Sequence, residues 1–434
     1  MLNLNIALSS PTSPNVSHVA FSGQFPKLEC LSPPATEKEI DIFGAEYADN
    51  TLNLAYAGDN YGPADPLFLK AMTLALSVPA LTYQIGGKLL EHAHRVFQKE
   101  FAGEGSTDPV VTLFTPTGTS ANRIGLSPVL RPIDAIIAAD NSHLVTREAG
   151  AYHRINGVSA YVLSSKDGKL PYETVKTFLD ECEQRRYWNQ AGKSKPKVLS
   201  ISQPTEYGTI YSDETVKKLA KLAHEKGMLL QMDGSRLFYV AAKTGKSLKA
   251  LTTDLGVDIV SLGGSKNKMV LAEAVVYTPN FFKNASHYAR RDDLLSELQA
   301  YAKQAGVSMG QSAPAAAQFI YALETGHAVH LASKAIQSAR QLERILINIP
   351  EARVFVPTET NVVLMSLPVP ILKKLRKKYK LMVFPGKDPE YPENRLVRFM
   401  TSASTRQADL EQLQKDINQI VLNTPLKKRS YPRI

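Results

Sequence analysis

Two lysines, Lys266 and Lys268, stand in "DIVSLGGSKNKMVLAEAVV", residues 258–276, between two runs that read as buried strands. Lysine is rarely set deep in a fold unless it is paired or reactive. An amine of lowered pKa is a nucleophile toward aldehydes, and either lysine could serve. Upstream, "QMDGSR" carries an apolar strand straight into Asp233. A carboxylate at the C-terminal end of a parallel strand lies where such sheets bind ligands, although Asp-Gly is also an ordinary turn pair. Arg236 follows closely enough to pair with Asp233 or with a ligand anion. In "TPTGTSAN", residues 115–122, a strand ends and Gly118, Thr119 and Ser120 open a helix. Free N–H groups and hydroxyls there suit a phosphate; Thr and Ser are equally common as plain helix caps. The stretch is not a Walker loop, and "TGKS" at 244–247 has Val240 where the first glycine belongs. His143, in "AADNSHLVTREAGA", stands just beyond another strand. The remaining histidines suggest no metal centre: His92 and His94 face different ways on a helix, and His327 and His330 lack further ligands nearby.

Singly these are ordinary features. In chain order, a phosphate cradle, a flat ring, a strand-end Asp and a strand-end Lys describe a site for pyridoxal 5'-phosphate. A lysine amine can hold the aldehyde of that cofactor. A carboxylate keeps a pyridine nitrogen protonated, since an adjacent negative charge favours the charged form. An imidazole can lie against the ring, near the reacting bonds.

The elements that must position these groups alternate along the chain. "VVTLFTP", "AIIAAD", "SAYVLSS", "KVLSISQ", "MLLQMD" and "DIVSLGG" read as strands, each with a helix-like run near it. Helices are expected from near Thr119, through "VTREAGAYHRI", through "YETVKTFLDECEQRRYWN" and through "SDETVKKLAKLAHEKG", the last capped by Ser212. Strands apolar on both faces in helix alternation predict a mostly parallel sheet covered on both sides. Residues 280–348 read as long helices. Four short strands follow in "ARVFVP", "NVVLMSL", "LMVFP" and "LVRFMTS", with a closing helix "RQADLEQLQKDINQIVL" and a capping box from Ser404 to Gln407. The expected organisation is an irregular N-terminal arm over 1–50, a large α/β domain over 51–330 and a small α+β domain over 331–434 with a basic tail.

With 434 residues, 44% hydrophobic and 21% charged, the chain has the balance of a folded globular protein. No apolar run reaches membrane-spanning length, and the first residues lack the pattern of a secretory signal. Two cysteines, Cys30 and Cys182, are too few for a disulfide framework, so a cytoplasmic location is expected. The net charge is +10, and its densest basic run is "ILKKLRKKYK", residues 371–380. There Ile371, Leu372, Leu375 and Tyr379 recur at helical spacing with the lysines largely opposite, which reads as a solvated helix face. A basic surface also suits anionic substrates and a phosphate-bearing cofactor, without a nucleic-acid or membrane partner.

The sequence resembles the threonine aldolase and β-eliminating lyase family, within the aspartate-aminotransferase-like fold of pyridoxal-phosphate enzymes. The resemblance runs from about 53 to 420. It is carried in order by "AGDNYGPADP", "PTGTSAN", "NSHLVTREAGA", "QPTEYGTIYS", "MDGSRLF" and "GGSKNKMVLAEAVV". By that resemblance Lys266 is the cofactor-linked lysine, with Lys268 the alternative in a place where relatives usually have glycine. It implies that Asp233 meets the pyridine nitrogen, His143 stacks on the ring, and Gly118, Thr119 and Ser120 hold the phosphate. Arg236 then lies near the ring hydroxyl or the substrate carboxylate. Arg398, ahead of Arg395, binds the substrate carboxylate, with Asp59 beside the substrate. Three departures stand out: Gly58 where many relatives have Ser, "TYQIGGK" at 82–88 in place of a Tyr-Gly-x-Asp pattern, and Glu206 where many have His. The activity implied is cleavage of a β-hydroxy-α-amino acid, L-threonine or L-allo-threonine, to glycine and an aldehyde, with His143, Glu206 or a water as base. The resemblance further implies a homodimer or homotetramer. β-Elimination or transaldol chemistry on another amino acid is the alternative, and a non-catalytic binding protein using its basic face is the alternative of another class.

Overall fold

The computed structural model describes residues 52–77, 87–285, 291–384 and 388–424. The expected N-terminal arm, Cys30, most of "TYQIGGK" and the basic tail lie outside the described residues. Those described belong to one unit that begins at Leu52.

Seven strands form the larger sheet: β1 (Val111–Thr115), β2 (Asp134–Ala139), β3 (Ser159–Leu163), β4 (Lys195–Ser202), β5 (Leu229–Gly234), β6 (Ile259–Gly263) and β7 (Glu273–Tyr277). Their spatial order is β1-β7-β6-β5-β4-β2-β3. The ladders among β2 to β6 are parallel, whereas β7 runs antiparallel to both β6 and β1. Six strands therefore point one way and β7 alone returns. All of them except the edge strand β3 are largely buried, which is why they read as unbroken apolar runs. Parallel strands bring their C-terminal ends to one rim of the sheet. The turns after β1, β2, β4, β5 and β6 gather there, and these are the turns that hold the candidate residues.

The helix Asp213–Glu225 opens as expected: the Ser212 hydroxyl accepts from the Thr215 amide, and Asp213 and Glu214 occupy its positive end. Two expectations are corrected. "VTREAGAYHRI" is not one helix but two short ones, His143–Thr146 and Ala151–Asn156, because Ala149 and Gly150 are left-handed, at φ 50 and 70°. The closing helix, Gln407–Leu422, takes Arg406 as its cap, with the Asp409 carboxylate accepting from the Arg406 amide. Ser404 is instead bonded to Ser402.

The second sheet is antiparallel, ordered β10 (Met382–Val383), β11 (Asn394–Met400), β9 (Val362–Pro368), β8 (Arg353–Val354). Helix His327–Leu346 serves both cores. Its early residues, from Ala328 to Ile336, pack with the large sheet, and Ala339, Leu342 and Leu346 pack with the small one. The basic run forms helix Val369–Leu375 and the turn after it. Ile371, Leu372, Leu375 and Tyr379 are buried, while Lys374 and Lys378 donate to Asn423 O and Asp416 on the closing helix.

Candidate functional site

A cavity of about 470 Å³ opens on the rim, lined among others by Asp59, Thr117, Gly118, Thr119, His143, Ser235, Lys266, Lys268 and Glu273. Its floor is the start of helix Gly118–Leu126. Thr117 is the N-cap, and its hydroxyl exchanges bonds with Ser120 in a closed box: Ser120 N donates to Thr117 Oγ1, and Thr117 N donates to Ser120 Oγ, both at 3.1 Å. The Ser120 hydroxyl is buried and spent on the cap, so Gly118 and Thr119 face the cavity together with Thr117 and with Ser235 from the turn after β5.

Behind this floor lies a buried polar cluster. The Asp233 carboxylate accepts from Ser235 N (3.0 Å) and Ser235 Oγ (2.5 Å) on one oxygen, and from Asn122 Nδ2 (3.1 Å) on the other. The same Asn122 amide donates to Glu148 Oε1 at 2.8 Å, and Glu148 Oε1 lies 2.9 Å from His143 Nδ1. One ligand atom from each of His143, Glu148 and Asp233 comes within 4.8 Å of the others. Sequence reading found His143 and Asp233 but missed Asn122 and Glu148. Asn122 was legible in principle, as a polar residue in the first turns of the helix that opens at the candidate Gly118; Glu148 was not. With Nδ1 donating to the Glu148 carboxylate, the His143 Nε2 is left as an acceptor.

Lys266 sits in the 3-10 turn Ser265–Asn267 immediately after β6. Its carbonyl accepts from Tyr239 Oη at 3.0 Å, while its ammonium has no hydrogen-bond or ion-pair partner among the described residues. The turn is squeezed between backbones: a Cβ on Gly263 would stand 2.3 Å from Ser235 O, and one on Gly264 would stand 2.3 Å from Ala272 O. No side chain fits at either position. Lys268 behaves differently. Its Nζ donates to Asp59 O (3.1 Å) and Tyr61 O (2.6 Å), so it ties the 59–61 loop to the cavity wall. Burial pushes its pKa down against the opposing pull of Asp59. Its backbone is left-handed, at φ 74°. Glu273, which the sequence reading also passed over, lies across the same turn. Its two oxygens accept from Gly264 N and Ser265 N, both at 3.2 Å.

The arginines form a second buried group. Arg236 clasps Asp59 with Nε and Nη2 (2.5 and 3.2 Å), and its Nη1 stands 3.5 Å from Glu206. Asn361 Nδ2 adds a third donor to Asp59. Burial would raise the Asp59 carboxyl, but the Arg236 guanidinium outweighs it and holds the carboxyl low. Asp59 thus lines the cavity with its charge already matched, and Arg236 has its fork occupied. Arg398, on β11, donates through Nη1 to Glu206 at 3.1 Å, and its Nε is buried without a partner among the described residues. It lines a neighbouring cavity of about 390 Å³ with Glu206, Tyr207, Met382, Phe384 and Arg147. Burial disfavours the Glu206 anion, yet Arg236, Lys266, Arg398 and His143 overcome that and hold the carboxyl far below its usual range. Arg395, the weaker candidate, is bonded to the carbonyl of Asn394.

These residues fit pyridoxal 5'-phosphate on two observations. Asp233 is a buried carboxylate supplied with neutral donors and, among the described residues, no Lys or Arg in ion-pair contact. A cationic ring nitrogen is the partner such a group lacks. The second is the start of helix Gly118–Leu126 in the same cavity as Lys266, where the Gly118 and Thr119 amides suit a phosphate.

Residues 80–368 match the sequence model of the family described as beta-eliminating lyase. The chain is 27% identical to a low specificity L-threonine aldolase of a Pseudomonas species over 371 residues, 84% of this chain and 97% of that protein. Among solved structures, the Leishmania major threonine aldolase superposes with a TM-score of 0.73 at 20% identity, covering 85% of this chain and all of that one. An aspartate aminotransferase from Rhodobacter sphaeroides gives 0.59 at 14% identity, with 86% and 93% covered. The fold is therefore the one expected, an aspartate-aminotransferase-like α/β architecture with a small antiparallel sheet.

Proposed function

Since the chain belongs to the beta-eliminating lyase family, we propose that it cleaves a β-hydroxy-α-amino acid of the L-threonine or L-allo-threonine type to glycine and an aldehyde, using pyridoxal 5'-phosphate. The observation that carries this reading is the Lys266 amine, without a hydrogen-bond or ion-pair partner among the described residues, in one cavity with His143 and the N-terminus of helix Gly118–Leu126. The similarity to a Pseudomonas low specificity L-threonine aldolase over 97% of that protein supports the choice of substrate.

When bound, the cofactor supplies an electron sink for the charge left on Cα as the Cα–Cβ bond breaks. Lys266 would hold its aldehyde carbon, and the Gly118 and Thr119 amides would hold its phosphate. Asp233 would keep a proton on the ring nitrogen, held in aim by Ser235 and Asn122. Arg398 would take the substrate carboxylate, offering the Nε that Glu206 does not use. A base must also accept the β-hydroxyl proton. Glu206 is a poor choice, because flanking cations that hold its carboxyl low also make its anion weakly basic. His143 is the better one: Glu148 fixes its Nδ1 proton and leaves Nε2 to accept, directly or through a water. Glu206 instead holds Arg398 in place. By the same resemblance we read the protein as a homodimer or homotetramer, and from its two cysteines as cytoplasmic.

The test is a visible spectrum of the purified protein with pyridoxal 5'-phosphate, before and after L-threonine, with acetaldehyde followed in the same tube. A band that shifts as acetaldehyde appears, and that is absent in Lys266→Ala, is the expected result. A band without acetaldehyde, with pyruvate released from serine or cysteine conjugates, would replace the aldolase reading with an eliminase. Near-normal turnover by Lys266→Ala would defeat the assignment of Lys266.

A further inference from the structure

Glu273 opens β7 in an otherwise apolar run, "AVVY", and its side chain is buried in the wall of the cavity that Lys266 lines. In the ladders it lies opposite Gly263 of β6 and Thr115 of β1. A carboxylate at that register reaches over the turn from the strand to which the turn returns. It fastens the two amides, Gly264 and Ser265, that immediately precede Lys266. The Ser265 side chain bonds it as well, and the ionised form, with all its lone pairs free, accepts this set of donors best. Once protonated, the carboxyl is a poorer acceptor and the clasp weakens.

We infer that Glu273 is a positioning residue for Lys266, holding the lysine's turn against the sheet while its carboxylate stabilises positive charge on the lysine nitrogen. The inference rests on the reading of Lys266 as the cofactor-linked lysine. The charged groups around the cavity support it. Lys266 faces Glu273 from the turn and is the charge that bears on it. Lys268 is bonded to the carbonyls of Asp59 and Tyr61, Asp59 is matched by Arg236, and His143 is turned to Glu148. Burial raises the Glu273 carboxyl to about 7, against the pull of Ser265, Lys266 and the Gly264 amide. The clasp therefore opens and closes within the neutral range, and closing it brings a negative charge to the lysine as pH rises.

The experiment compares wild type and Glu273→Gln, both loaded with pyridoxal 5'-phosphate, by following the visible band as a function of pH. Gln keeps one acceptor and removes the charge. The band of the variant should change form about one pH unit or more lower than that of wild type, as loss of a nearby opposite charge requires. Turnover of L-threonine should fall about tenfold in kcat with KM little changed, the pattern of a misplaced catalytic group rather than of weaker substrate binding. Superimposable band titrations in the two proteins would overturn the inference. Should Glu273→Gln not fold, Glu273→Asp carries the same test: its charge stands one methylene further off and reaches one amide, so an unaltered band transition overturns it equally. A wild type that never acquires the band refutes the reading of Lys266 itself, a result distinct from an unshifted variant.

Discussion

Lys268 offers a sharp test, because two opposed terms meet in one residue. Its backbone is left-handed, at φ 74°, which costs a residue with a Cβ about 1–2 kcal/mol. Against that, its buried ammonium makes two hydrogen bonds to the carbonyls of Asp59 and Tyr61. Bonds from a charged donor contribute about 1.5–3 kcal/mol each, less here for the cost of burying the ammonium. Lys268→Ala loses the bonds and keeps the strain, so it should destabilise by about 3 kcal/mol. Lys268→Gly loses the same bonds but releases the strain, offset by the extra freedom of glycine in the unfolded chain, about 0.5–1 kcal/mol. Gly should therefore be the milder replacement by about 0.5–1 kcal/mol. Urea melts of the two variants against wild type measure the difference directly. Both should keep the visible band, since Lys266 is untouched, and both should raise the KM for L-threonine as the 59–61 loop comes loose. If Lys268→Gly proves no more stable than Lys268→Ala, the strain argument is wrong. If either variant loses the band, Lys268 rather than Lys266 holds the cofactor.

Arg398→Lys keeps the charge and loses the fork, so the KM for L-threonine should rise about 10-fold or more with fold intact; an unchanged KM would mean another group binds the carboxylate. Asn122→Ala leaves Glu148 and Asp233 without their shared donor, which should cost about 1–3 kcal/mol in a thermal or urea melt and weaken cofactor retention on dialysis. Gly263→Ala drives a Cβ onto Ser235 O, and soluble yield and melting should drop by more than the usual 1–3 kcal/mol of an overpacked core; normal stability would show that the turn can shift. Glu273 also predicts a pH trend for the apoprotein. Its folded pKa, raised to about 7, lies above the unfolded value, so its contribution is fully present below the ordinary carboxylate range and is lost as pH rises to about 7. Glu273→Gln should flatten that part of the stability curve.

Much of this was legible in the sequence, for reasons that can be named. Strands buried on both faces carry few polar residues, so β1, β2 and β4 to β6 stand out; Asp233 ends one of them, and the segments just behind them hold Gly118, His143, Glu206 and Lys266. Less legible was whatever depends on a partner far along the chain. Asp59 and Arg236 are 177 residues apart, and nothing local announces that each neutralises the other. Glu148 reads as one acid in an exposed-looking "TREAG", because its burial comes from Asn122 and His143 rather than from its own neighbours. Nor does the sequence announce that the Ser120 hydroxyl takes part in the Thr117 cap, since a cap and a ligand site use the same residue types at a helix start. The misread closing cap has a similar origin: Arg406 is no usual cap residue, and it succeeds here through Asp409.

The reversed strand β7 has a consequence for assembly in time. The floor of the cavity follows β1, which lies at the sheet edge and, among the described residues, pairs only with β7, Val111 opposite Tyr277. A chain emerging from the ribosome can pair β2 with β3, then β4 with β5, as each segment appears. The edge strand, though made first, has to wait for residues 273–277 before it has a neighbour. Its helix, meanwhile, has no sheet margin to sit on. The closure of so long a loop is slow, and it comes late. On this account the wall of the cavity that begins at Gly118 is completed in a single late event, when the first strand of the sheet docks last.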